Sequence, residues 1–331
     1  MNLTDNIIEL NRDMEPFVVQ GSSGRPKGLG DKFAPLQFVH FSDVHAMLDL
    51  WNRVSEYVNH YKDYISFGIH TGDYCGNNQE LFADCYNHGL QCERPLYNCT
   101  GNHDVTVTRK HLPASKESVY KKLFAPQPDI SLDVKFMDVE YSMTYYKDFA
   151  ESNIRMIVLD LYYDVAAQKT WLADILADAK EKGLSVITAM HEPTGYIEES
   201  YGTTFHSIID YTSAVAKQKT CEFESVIADF IAQGGKFICN LAGHHHHDLF
   251  GRTAAGILNI CVPCATNWDG WCDGKRVKGT RTYDCFNVMA IDVNLGILKL
   301  IRIGDNCDPY LREKKVLCFD YINNKVSKNV D

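Results

Sequence analysis

Five short stretches gather carboxylate, amide and imidazole side chains: "SDVH" with Asp43 and His45, "TGDY" with Asp73, "TGNHD" with Asn102, His103 and Asp104, "MHEP" with His191, and "GHHHH" with His244 to His247. Oxygen and imidazole donors without thiolates suit divalent manganese, iron or zinc, and not the closed, sulfur-rich sites of structural zinc. Taken singly, each stretch has a plainer reading. An Asp after a strand caps helices, "GD" and "GN" are turn dipeptides, and a His before Pro can be an ordinary buried histidine. The four consecutive histidines are not a purification tag, since about eighty residues of protein-like sequence follow them. The joint order of the five stretches therefore carries the argument.

The elements that must position these residues alternate along the chain. "LQFVHFSD" reads as a short buried strand, and Leu48, Trp51, Val54, Val58 and Tyr61 then recur at helical spacing. "YISFGIHTGD" (strand), "NNQELFADCYNHG" (helix ending at Gly89), "PLYNCTGNHD" and "NIRMIVLD" (strands) follow. Next come a helix around Trp171 and Leu172, the strand "LSVITAMHEP", a helix carrying Phe223, Ile227 and Phe230, and "KFICNLAGHHHH" as a strand. "GILNICVP", "DCFNVMAIDV" and "GILKLIRIG" read as successive strands. The donor-bearing residues sit directly after the apolar strands. In layered α/β folds the loops at the carboxyl ends of strands share one rim, so distant stretches can meet.

Composition limits the alternatives. The chain has 331 residues with 33 Lys and Arg against 43 Asp and Glu, a formal net charge of -10. Affinity for duplex nucleic acid rests on Lys and Arg displacing counterions, so duplex is not an expected partner. A small phosphorylated ligand held through cations remains compatible. No apolar run approaches the roughly 18 residues of a membrane span, and the N-terminus lacks the basic-then-apolar order of a signal peptide. The expected setting is cytoplasmic, away from any membrane. Twelve cysteines are then expected to be mostly reduced and buried, with a zinc role for the "CVPC" pair, Cys261 and Cys264, as the alternative.

In order and type the five stretches resemble the calcineurin-like metallophosphoesterase superfamily, whose signature runs DxH, GD, GNH followed by an acid, a lone H, and GHxH. The resemblance implies a four-layer α/β/β/α sandwich of two packed mixed sheets flanked by helices. The resemblance covers residues 38 to about 247; the Gly, Ser and Pro content of "QGSSGRPKGLGDKFAP" marks an irregular lead-in over 1–35, so the domain is expected at residues 36–305, with a C-terminal extension, 306–331, packing on it. The resemblance further implies two divalent ions (Mn, Fe or Zn) bridged by Asp73. Asp43, His45 and His246 complete the first ion's ligands, and Asn102, His191 and His244 the second's. A dinuclear-metal-activated hydroxide then attacks phosphorus, with His103 as proton donor to the leaving oxygen. Asp104 either orients His103 or holds the loop. In an extended segment side chains alternate, so His244 and His246 face one way and His245 and His247 the other. That argument also permits the opposite register; the family pattern selects His244 by placing the first ligand directly after Gly243.

Departures from particular branches narrow the substrate. "GDYCGNN" lacks the DRG portion of protein Ser/Thr phosphatases, and Thr100 stands where they carry arginine before GNH. Gly76 occupies the position of the tyrosine ligand of purple acid phosphatases. The expected function is hydrolysis of a small phosphate ester, a diester such as a cyclic nucleotide ahead of a monoester. A non-catalytic scaffold and a nuclease are the competing readings. The basic stretch "DGKRVKGTRTYD", 273–284, is either a solvated loop or a clamp for substrate phosphate, and Trp268 and Trp271 pack or stack a base.

Overall fold

In the computed structural model, residues 33–75, 91–106, 114–125, 134–195, 197–200, 214–246, 249–265, 285–304 and 316–327 are described. The expected lead-in up to residue 32, the helix over 77–89, the basic stretch, both nearby tryptophans and His247 lie outside the described residues.

Short apolar runs buried on both faces form the centre of two mixed sheets. The first contains β1 (Leu36–Phe41), β2 (Phe67–His70), β3 (Leu96–Asn98), β12 (Cys285–Asp292), β13 (Ile297–Gly304), β14 (Val316–Asp320) and β15 (Lys325–Ser327), in the order β15-β14-β13-β12-β1-β2-β3. The second contains β4 (Lys135–Phe136), β5 (Tyr145–Phe149), β6 (Ile154–Val158), β7 (Ser185–Ala189), β8 (Ile197–Ser200), β9 (Lys236–Ala242), β10 (Leu249–Thr253) and β11 (Leu258–Cys261), in the order β4-β5-β6-β7-β9-β11-β10-β8. The pairs β1–β2, β2–β3, β6–β7, β7–β9 and β9–β11 are parallel. The strand-end rule therefore applies to both sheets.

Alternation along the strands divides the apolar side chains between two cores. Ile154, Met156 and Val158 of β6, with Ile187 and Ala189 of β7, join the core that also holds the first sheet. Ile157 and Val186 point the other way, into a core with Leu172 and Leu176 of α3 (Val165–Glu181) and Phe223 and Ile227 of α4 (Ala214–Ala232). Across the molecule, α1 (Leu48–His60) covers the outer face of the first sheet, with Trp51 edge-on to Phe41 and Tyr57 to Phe286. Helix, sheet, sheet and helix thus stack as a four-layer sandwich. A short α2 (Lys116–Leu123) begins where Ser115 accepts from Ser118 N–H at 3.2 Å.

The segment expected to be a C-terminal extension is partly sheet. β14 pairs with β13 over Ile297 to Ile301, and β15 pairs with β14. No helix among the described residues is long and apolar enough to cross a membrane.

Candidate metal centre

Every donor-bearing loop leaves the carboxyl end of a parallel strand. Asp43 and His45 follow β1, Asp73 follows β2, Asn102 and His103 follow β3, His191 follows β7, and His244 and His246 follow β9. The first three strands belong to one sheet and the last two to the other, so the cluster straddles the seam between sheets. Backbone hydrogen bonds tie the loops together. Asp43 N–H donates to Gly72 O at 3.0 Å, His45 N–H to Asp73 O at 3.0 Å, and Gly243 N–H to His191 O at 2.9 Å.

Asp104 braces the same region from below. Fully buried, its carboxylate accepts from the N–H of Asp73 at 2.9 Å, of Tyr74 at 2.8 Å and of Gly101 at 2.8 Å. Burial and then the Asp73 charge push this carboxyl up to about 7, against the pull of the Gly101 amide, His191 and the Tyr74 amide. Of the two roles open to Asp104, this geometry favours holding the loop.

The loops are folded where local preference opposes it. Asp43, His45, Asp73, His244 and His246 have φ of 54°, 48°, 61°, 65° and 58°, five of the ten non-glycine residues with positive φ among the described residues. Each costs about 1 kcal/mol or more and persists only because surrounding contacts impose it. Two glycines show the crowding. A Cβ on Gly72, itself at φ 102°, would sit 2.5 Å from His191 Nδ1, and one on Gly243 would overlap Ser42 Oγ.

This backbone corrects the explanation of the histidine run by strand alternation. β9 ends at Ala242, and His244 and His246 are in the left-handed region with His245 N–H donating to Gly243 O at 2.7 Å. His244 and His246 do reach the cluster, but through a tight turn.

Two groups of donor atoms meet there. In the first, His45 Nε2 is 3.3 Å from His246 Nε2, which is 3.2 Å from Asp43 Oδ1. Ligand atoms of Asp43, His45, Asp73 and His246 all lie within 4.8 Å of one another. In the second, Asn102 Oδ1 is 2.9 Å from His191 Nε2 and 3.0 Å from His244 Nδ1, with 3.2 Å between the two nitrogens. Asp73 Oδ2 lies 3.3 Å from His191 Nε2, so its carboxylate borders both groups. Donors bonded at about 2.1 Å to one tetrahedral or octahedral cation stand about 3.0 to 3.4 Å apart, and the observed separations match that spacing. The residues fit a pair of divalent ions.

Protonation supports the fit. His191 Nδ1–H donates to Thr71 O at 2.7 Å, so a second proton, or a cation, must sit at Nε2, which faces Asn102 and Asp73. Burial lowers His45 to about 4 and, with His191 and His245 nearby, His244 to about 3, leaving both neutral at pH 7. Burial alone would raise the Asp43 and Asp73 carboxyls, but His246 and His191 respectively outweigh it and hold both below the usual range. For His191, burial pulls down, and the Asp73 and Asp43 charges lift it to about 10. The cluster thus draws positive charge.

His103 stands at the edge. Its N–H donates to Asp73 Oδ1 at 2.8 Å, its Nε2 is 3.8 Å from Asp73 Oδ2, and its side chain is 24% exposed. His245 packs its ring 5.4 Å from that of His244. Cys261 and Cys264 are both buried thiols that part company: Cys261 packs with Ala242 and Leu249, whereas Cys264 Sγ–H donates to Asp43 O at 3.0 Å. Sequence reasoning missed Cys264 as a rim residue, although it follows β11, a parallel strand beside β9.

Comparison with known proteins agrees with this geometry. No curated protein sequence matches significantly. A dimetal phosphatase from Danio rerio superposes with a TM-score of 0.54 at 12% identity, covering 81% of this chain and 96% of that one. A purple acid phosphatase from yellow lupin (Lupinus luteus) superposes with a TM-score of 0.52 at 12% identity, covering 92% of this chain and 54% of that one. At such identities the likeness extends to the fold. The family model for calcineurin-like phosphoesterases matches residues 36–248, a span that begins at β1 and closes just after the histidine turn. By that match the chain belongs to the calcineurin-like phosphoesterase family, metal-dependent hydrolases of phosphoric esters.

Proposed function

We propose that the chain hydrolyses a small phosphate ester, a diester ahead of a monoester, at a two-ion centre held by Asp43, His45, Asp73, Asn102, His191, His244 and His246. The supporting observation is that two groups of donor atoms, each spaced as ligands around one cation, border the single carboxylate of Asp73. Divalent ions, when bound, polarise phosphoryl oxygens and lower the pKa of water towards about 7. Manganese, iron or zinc suits the oxygen and imidazole donors.

The chain's own residues supply orientation and the proton. Thr71 O fixes the His191 tautomer by accepting from Nδ1–H. Asp104 and the left-handed loops hold Asp73 in place before substrate arrives, so little reorganisation is left for the reaction itself. His103, tethered through its backbone to Asp73 yet partly exposed, delivers a proton from its ring to the leaving oxygen.

Metal-loaded protein is expected to carry two ions per chain by elemental analysis and to turn over bis(p-nitrophenyl) phosphate faster than p-nitrophenyl phosphate. Turnover of neither ester with manganese, iron or zinc across a range of pH would refute the reading. A faster monoester rate would reverse the substrate preference alone.

A further inference from the structure

The segment after β11 runs beneath the rim between two ligand loops. Val262 N–H donates to Ala242 O at 3.1 Å and Ala265 N–H to Ser42 O at 3.0 Å, so it is tied to the residues just before Gly243 and Asp43. Between these ties sits Cys264, 1% exposed. Its Sγ and one ring nitrogen each of His45 and His246 lie within 4.8 Å of one another, and the same two imidazoles converge with the carboxylates of Asp43 and Asp73. A second feature points to a cation here. The Asp43 side chain is fully buried, and its Oδ1 meets no donor in hydrogen-bonding geometry, its nearest ring nitrogen being His246 Nε2 at 3.2 Å.

We infer that Cys264 is a further metal ligand, its thiolate reaching the first ion on the side where His45 and His246 converge with it. The inference rests on the two-ion reading above. On coordination the thiol proton, now donated to Asp43 O, leaves to solvent and the sulfur lone pair turns to the ion. One sulfur in an otherwise oxygen and imidazole set softens that site, favouring zinc or iron over manganese or magnesium. The two positions of the pair would then differ in metal preference.

Zinc K-edge X-ray absorption of zinc-loaded protein tests this without activity. The expected spectrum shows a sulfur shell at about 2.3 Å beside nitrogen and oxygen at about 2.0 to 2.1 Å, with one sulfur per pair of ions. Cys264→Ser should abolish the shell, and Cys261→Ser should leave it unchanged. Wild-type protein binding two zinc ions with only a nitrogen and oxygen shell would overturn the inference while sparing the two-ion reading. A sulfur shell that survives Cys264→Ser would also overturn it. No zinc bound to wild type would sink both. Should Cys264→Ser fail to fold, as judged by circular dichroism, a sulfur-to-cobalt charge-transfer band in Co2+-loaded wild type, retained in Cys261→Ser, serves in its place, and its absence counts against the thiolate.

Discussion

Two buried charge clusters in this molecule are built on opposite principles. On the outer face of the second sheet, Arg155 is fully buried, yet each of its guanidinium nitrogens has a partner within the protein. Its guanidinium donates to Asp148 at 2.6 and 2.8 Å, to Ile175 O at 2.8 Å, pairs with Asp178 at 2.7 Å and lies 4.3 Å over the Tyr146 ring. At the rim, carboxylate faces carboxylate across a shell of imidazoles, and nitrogen approaches nitrogen at 3.2 and 3.3 Å. Burying charge is tolerable only with partners. The Arg155 cluster contains all of its partners, whereas the rim is arranged around partners the polypeptide does not contain. A buried ionic network of the first kind signals architecture, and one of the second kind signals a bound cation.

The contrast can be broken most severely at Asp73. Asp73→Ala is expected to lose both ions by elemental analysis and to reduce kcat/KM about 10³-fold or more; unchanged metal content would remove Asp73 from its bridging position. His103→Ala sharpens the rim by dividing it. It should cost about 10²-fold on esters with poor leaving groups, far less on nitrophenyl esters, and leave metal content intact. Equal losses on all esters would dismiss the proton-donor role. On the other side of the comparison, Asp148→Ala removes two charge-assisted hydrogen bonds from a guanidinium that keeps Asp178 and Ile175 O, and should destabilise the fold by about 2 to 3 kcal/mol in urea melts, with metal content and kcat/KM unchanged.

The smallest effect is a pH dependence beneath the rim. Burial lowers His40 and His70 to about 3 each. Both stay neutral when folded and take up protons near 6.5 when unfolded. Their stability contribution is full above about pH 6.5 and is lost as pH falls towards 3, about 2 kcal/mol each at pH 5. Urea melts of His40→Gln should lose about that much less than wild type between pH 8 and pH 5, and identical losses would contradict the assignment.

Much of the rim was legible because strand ends are legible. Runs such as "LQFVHF" and "SVITA" are apolar, short and followed at once by donors, which needs no knowledge of packing. The turn at 243–246, left-handed at His244 and His246, was not legible, since "LAGHHHH" continues a strand pattern and nothing in it shows that Ser42 and Asp43 leave no room for a side chain at 243. Tyr145 is buried and the four residues after it are all partly exposed, so Tyr145–Phe149 offers no clean alternation and β5 was missed. Capped Ser115 did announce α2 and was passed over. Cys264 was overlooked because its spacing from Cys261 invited a pairwise reading, while the rule that found the other donors also applied to β11.

Since Asp43, His45, Asp73 and Asn102 arrive from one sheet and His191, His244 and His246 from the other, neither half alone holds enough to act. During refolding, the constellation assembles only after the halves have docked. Recovered turnover would therefore require that the two sheets have docked, and a fragment bearing one sheet would be inert however well it folded.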